Sequence, residues 1–136
     1  MRKPALTTKL FVICDYASMD KDGKLSLNGI FSEMYVNKMP AYFLRFYIGA
    51  TINGEPEKTY DIQVTIFGPD NKVVNHEEAT IQLGTGGVSH LITDVHNFPV
   101  ELIGKYTLKL RTNDNKTIGK TTFNVIDMTT KKESVN

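Results

Sequence analysis

Asp20 and Asp22, one residue apart and followed by Gly23, are the residues whose types most invite a chemical reading. Closely spaced carboxylates are what a hard cation such as calcium selects. As an EF-hand loop the segment fails: with Gly23 at the sixth position, Ser18 takes the first and Gly29 the twelfth, where carboxylates are required. The flanks also alternate as strands, not helices. A local reading suffices, because Asp22-Gly23 enters turn conformations readily and can reverse the chain. If every strand ran opposite to its predecessor, the loops 16–23, 53–58, 84–87 and 113–115 would share one end. Asp20, Asp22, Glu55, Glu57 and Asp114 would then form a loop-end calcium site of the kind C2-like sandwiches use. Lys21, Lys24, Lys58 and Lys116 beside them favour ordinary solvated turns instead. No bound metal or cofactor is expected, and Asp20, Asp22, Glu55 and Asp114 stand as the alternative calcium candidates.

Three other groups carry chemistry in principle. Cys14 is the only thiol, set in the apolar run Phe11-Val12-Ile13-Cys14, where a cysteine behaves as a small hydrophobe. A nucleophilic role needs a histidine beside it, and His76, His90 and His96 offer no local spacing to it. His90, Asp94 and His96 share strand parity, which suits a metal only if the pleat runs unbroken into the proline-containing turn that follows. Gly84-Thr85-Gly86-Gly87 lacks both the lysine and the helix of a phosphate loop, so a flexible connection is expected.

The elements that must position these residues are strands. Leu44, Phe46, Ile48, Ala50 and Ile52 alternate with polar or small residues, as do Tyr60, Ile62, Val64 and Ile66, and then Tyr106, Leu108 and Leu110. Turn signals separate them, among them Asn53-Gly54-Glu55-Pro56 and a tight Gly68-Pro69-Asp70-Asn71 turn. Strands are expected at 10–15, 24–31 continuing toward Val36, 42–53, 59–67, 72–81, 88–95, 104–112 and 116–126. The apolar set changes parity near Ser32-Glu33, which a β-bulge would explain. The fold class is all-β: a single antiparallel β-sandwich of about eight strands, immunoglobulin-like or C2-like. Tyr106, opening a strand after Gly104-Lys105, is placed as a corner tyrosine with its hydroxyl bonded back to backbone. Residues 9–126 form the domain, between a flexible N-terminus at 1–8 and a flexible polar tail at 127–136.

At 136 residues the chain has the length of one domain. Sixteen basic against fifteen acidic residues give a net charge of +1 with no like-charge run beyond two, so no nucleic-acid partner is expected. The lone cysteine forms no internal disulfide, and no apolar run reaches membrane-spanning length; a cytoplasmic protein with no membrane partner is expected.

The face of the third strand turned from its core set carries Phe43, Arg45, Tyr47 and Thr51. Pairing with the fourth strand as a hairpin would lay Asp61, Gln63 and Thr65 beside them. Aromatic residues with an arginine are favoured at protein interfaces, so Phe43, Arg45, Tyr47 and Gln63 are the candidate binding residues.

Cys14-Asp15-Tyr16-Ala17, then Asp20, then Gly23-Lys24-Leu25-Ser26-Leu27-Asn28-Gly29-Ile30-Phe31, together with the later Gly104-Lys105-Tyr106-Thr107-Leu108-Lys109-Leu110-Arg111 strand, resembles a family of small bacterial proteins classed as a domain of unknown function. The resemblance implies a compact β-sandwich and brings no activity, cofactor or catalytic residue. The expected function is therefore a non-catalytic protein-interaction or self-assembly module, binding itself or another protein. A calcium- or small-ligand-binding sandwich is the alternative, and a Cys14-dependent enzyme the third.

Overall fold

β-branched and aromatic residues at every second position favour extended chain that buries one face, and nearly every such run forms a strand. The computed structural model describes residues 5–128. It contains β1 (Thr7–Met19), β2 (Leu25–Phe31), β3 (Glu33–Val36), β4 (Ala41–Asn53), β5 (Thr59–Phe67), β6 (Val73–Gln82), β7 (Val88–Val100), β8 (Gly104–Thr112) and β9 (Thr117–Asp127). They form two sheets, ordered β2-β1-β4-β7 and β3-β9-β8-β5-β6. The expected flexible segments 1–8 and 127–136 lie mostly outside the described residues; within them, Thr7 and Thr8 open β1 and Asp127 closes β9.

The ninth strand comes from a reversal at Ser32, where a bulge was expected. β2 runs antiparallel to β1 from the Leu25–Met19 pair to the Phe31–Ile13 pair. The chain then crosses to the other sheet, where β3 runs parallel to β9 from the Glu33–Asn124 pair to the Val36–Asp127 pair. The Asn124 amide donates to the Ser32 carbonyl at 2.9 Å and so ties the crossing to β9. Parity changes there because the chain changes sheet.

This reversal resorts every later loop. β4 lies antiparallel to β1, with Cys14 opposite Tyr47 and Thr7 opposite Asn53, and antiparallel to β7, with Ala41 opposite Val100. One end of the sandwich therefore collects residues 20–24, 37–40, 68–72 and 101–103. The other collects 53–58, 83–87 and 113–116, where the Gly54 amide donates to the Gly87 carbonyl at 2.9 Å. β4 and β5, expected to pair as a hairpin, belong to different sheets.

The main core lies between the sheets, with Ile13, Phe46, Ile48 and Ile52 from one and Ile62, Ile66, Leu108 and Phe123 from the other. Its aromatic centre joins Phe46 to Phe98 at 5.3 Å and stacks Tyr106 on Phe123 at 5.0 Å between ring centroids. The Tyr106 hydroxyl donates to the Leu102 carbonyl at 2.7 Å, the corner bond expected from the sequence.

Candidate functional site

The four-stranded sheet is bent along one transverse line, and charged and aromatic side chains gather beside the bend. In a regular strand, residues three apart face opposite sides. Here Phe43 and Phe46 both pack on the main core, as do Val95 and Phe98, while Cys14 and Ala17 both pack on the opposite face. Leu27 and Phe31, four apart, divide between the two clusters. Left-handed backbone at Gly29 (φ +68°) and Asn97 (φ +50°) marks the line on the two outer strands.

On the face of this sheet turned from the core, Arg45 makes a bidentate contact with Asp94, Nε to Oδ1 at 3.0 Å and Nη2 to Oδ2 at 2.6 Å. His96 Nε2 lies 3.0 Å from the same Oδ1. The hydrogen bond from Arg45 holds the Asp94 carboxyl below the usual carboxylate range, and His96 beside it lowers it further. The Arg45 guanidinium also sits 5.1 Å from the Tyr47 ring centre, and Tyr16 meets that ring edge-on at 5.2 Å. Beneath them Cys14, Ala17 and Tyr47 form a small second cluster with Leu27 and Ile92. Gly49 leaves the room that Leu27 fills: a Cβ there would stand 2.6 Å from Leu27 Cδ2.

The structure thus unites two of the four candidate binding residues, Arg45 and Tyr47. It places the other two elsewhere. Phe43 turns inward at the bend and packs on the main core, and Gln63 lies on the other sheet, opposite Arg111 and Glu78. Tyr47 itself is covered by its own chain, with 7% of its surface exposed. The residues that period-two reasoning missed are Leu44, expected inside but 79% exposed, and Tyr42, 66% exposed. Unbroken alternation hides both, because the bend turns Leu44 out beside Arg45.

The calcium set is divided between the two ends: Asp20 and Asp22 at one, Glu55 and Asp114 at the other. Asp20, Glu55 and Asp114 have local work. Asp20 Oδ1 accepts the amides of Asp22 and Lys24, both at 2.9 Å, closing the hairpin turn. Glu55 pairs with Lys58 at 3.7 Å, and Asp114 accepts a short hydrogen bond from the Thr112 hydroxyl that lowers its pKa. His90 bonds Thr51 at 2.9 Å and His76 bonds Thr65 at 2.8 Å. Among the described residues, no group of three or more His, Cys, Asp or Glu side chains is arranged to hold a metal. Cys14 is fully buried, and desolvation raises its thiol pKa, the reverse of what activates a nucleophile. In the Gly84–Gly87 loop the amides of Gly84 and Gly87 already donate to backbone carbonyls, at 2.9 Å each.

These features define a two-sheet, all-β sandwich with a bent face bearing aromatic and charged residues. The chain belongs to a family described as Family of unknown function (DUF6941), which matches residues 9–126. No curated protein matches. Among solved structures, it is similar to the Pseudomonas fluorescens alkylpurine DNA glycosylase AlkC bound to DNA containing an abasic site analog, with TM-score 0.56 and 10% identity, over 92% of this chain and 31% of that one. It is also similar to the Bifidobacterium adolescentis GH3 β-glucosidase, with TM-score 0.51 and 10% identity, over 90% and 17%. A third is the Trichoderma reesei β-D-glucoside glucohydrolase, with TM-score 0.51 and 8% identity, over 90% and 19%. The chain spans less than a third of each of these proteins, and at such identities the likeness is one of fold alone. Among the described residues, no helix is long and apolar enough to cross a membrane.

Proposed function

We propose that this chain is a non-catalytic interaction module that associates with a second copy of itself through the bent face of the four-stranded sheet. The observation that carries the reading is the exposure of Tyr42 and Leu44, with Tyr16 and Met19 also exposed. All four lie on β1 and β4, beyond Cys14–Tyr47, the last pair between those strands, at the end where β1 finishes and β4 begins. Exposed apolar groups rimmed by charge characterise contact surfaces. A net charge of +1 puts little long-range repulsion between copies.

Sedimentation velocity over a wide concentration range tests this. The wild-type chain is expected to show a concentration-dependent dimer, and Leu44→Lys to weaken it at least about tenfold, the effect of losing a central contact residue. At concentrations where both chains are monomeric the melting temperature should hold, since Leu44 is exposed in the single chain. A wild-type chain that remains monomeric throughout overturns the proposal.

The strand order supports an immunoglobulin-like core made of β3 to β9. β3 lies parallel to β9 at one edge, β9-β8-β5-β6 follow in order, and β4-β7 face them. Tyr106 at the start of β8 occupies the position of a corner tyrosine. On this reading the β1–β2 hairpin is an addition that widens the β4-β7 sheet. The balanced, unclustered charge speaks against nucleic acid or a membrane surface as the partner, and the single free thiol suits the cytoplasm.

A further inference from the structure

A cleft of about 280 Å³ opens at the end of the sandwich, between the β5–β6 turn and the segment joining β7 to β8. We infer that it receives one lysine or arginine side chain of a partner polypeptide. Its size falls below the roughly 300–1,000 Å³ of pockets that hold drug-sized ligands, so one long side chain suits it better than a whole small molecule. Pro69, Pro99, Val73, Val74 and Leu102 supply apolar walls, as the hydrocarbon stem of a long basic side chain requires.

The polar groups of the lining specify a donor. The Tyr106 hydroxyl spends its proton on the Leu102 carbonyl, so towards a ligand it can only accept. Asp70 and Glu101 add two carboxylates, and both act electrostatically on that hydroxyl. Lys72 contributes one positive charge against these two. Acceptors under net negative charge, set beside an apolar wall, complement a group that only donates: an ammonium or guanidinium. The Asp70 carboxylate also lies on a well-fixed turn. Gly68 and Lys72 close the turn with an amide-to-carbonyl bond of 2.8 Å, and Asp70 Oδ1 accepts the Lys72 amide at 3.2 Å.

The test is a titration of the ¹⁵N-labelled protein with blocked Ala-Arg-Ala tripeptide, reading the amides of Gly68, Asp70, Leu102 and Gly104. Blocked Ala-norleucine-Ala serves as the uncharged control, and N-propylguanidinium as the same cation without a peptide. The arginine tripeptide is expected to shift these amides saturably at millimolar concentration and to bind at least fivefold tighter than the norleucine peptide. The doubly substituted Asp70→Asn, Glu101→Gln protein should lose that preference while keeping its fold, because both changes preserve shape. No saturable shift, equal binding of the norleucine peptide, or an undiminished preference in the double variant overturns the inference. N-propylguanidinium binding tighter than the tripeptide overturns a polypeptide as the source. The site is independent of the proposed self-association: a Leu44→Lys chain should bind the arginine tripeptide as wild type does, so the two proposals fail separately.

Discussion

At the scale of single residues, burial decides what Cys14 and Tyr106 can do. Desolvation disfavours a thiolate, so the folded Cys14 holds its proton above the ordinary value of 9.0. Tyr106, desolvated and then influenced by Asp70 and Glu101, is likewise raised from 10.0. Both groups ionise more easily once unfolded. As pH rises through the unfolded values the unfolded chain releases protons that the folded chain retains, so stability is full below them and is lost above. From neutral pH, urea midpoints should stay level up to about pH 8 and then fall, and Cys14→Ala should flatten the first part of the fall. The native thiol should also resist a disulfide reagent at neutral pH and react on unfolding; rapid native labelling would refute its burial. Tyr106→Phe removes the hydroxyl bond to Leu102 and is expected to cost about 1 kcal/mol in the same urea measurement.

At the scale of elements, the bend of the four-stranded sheet rests on a few backbone positions. Gly29 has φ +68°, and a Cβ there would overlap the Asp15 carboxylate across the β1–β2 pair. Gly29→Ala is therefore expected to destabilise by about 1–3 kcal/mol. Adding Asp15→Ala should recover the steric part and leave the backbone part, which a double-mutant cycle in urea separates. A neutral Gly29→Ala would mean that the bend is held elsewhere. Most of the fold was legible in the sequence because period-two alternation and Gly, Pro and Asn turns are local signals: 59–67 and 104–112 are strands with the expected limits. What was illegible is non-local. Ser32 carries no turn signature, and its crossing between sheets preserves the apolar set, so one unseen reversal moved Asp20 and Asp22 to the wrong end. Of the bent face, Arg45 and Tyr47 were readable from composition and alternation. Asp94 and His96 were not recognised as their companions, because the β4–β7 pairing spans a long stretch of intervening chain. Leu44 escaped because the left-handed turn at Asn97, opposite it in the register, has no mark in the sequence of β4.

At the scale of the whole molecule, the β1–β2 hairpin matters more than its edge position suggests. It supplies buried Ile13 and, in part, Phe11 and Phe31 to the main core, and Cys14, Ala17 and Leu27 to the second cluster over Tyr47. A fully buried side chain of this size contributes about 1.5–3 kcal/mol, so these losses together rival the 5–15 kcal/mol that holds a typical domain folded. The hairpin also covers the edge of β4, where every residue from Phe46 to Ile52 is buried. Deleting residues 1–31 would leave that edge open on a sheet reduced to β4 and β7. An apolar edge of this length is a template for pairing with other chains, and a net charge of +1 does little to keep them apart. The truncated chain is expected to lose its cooperative thermal transition by circular dichroism and to elute as aggregates. A monomer melting within a few degrees of the full chain would show instead that β3 to β9 form a self-sufficient core, with the hairpin dispensable to its folding.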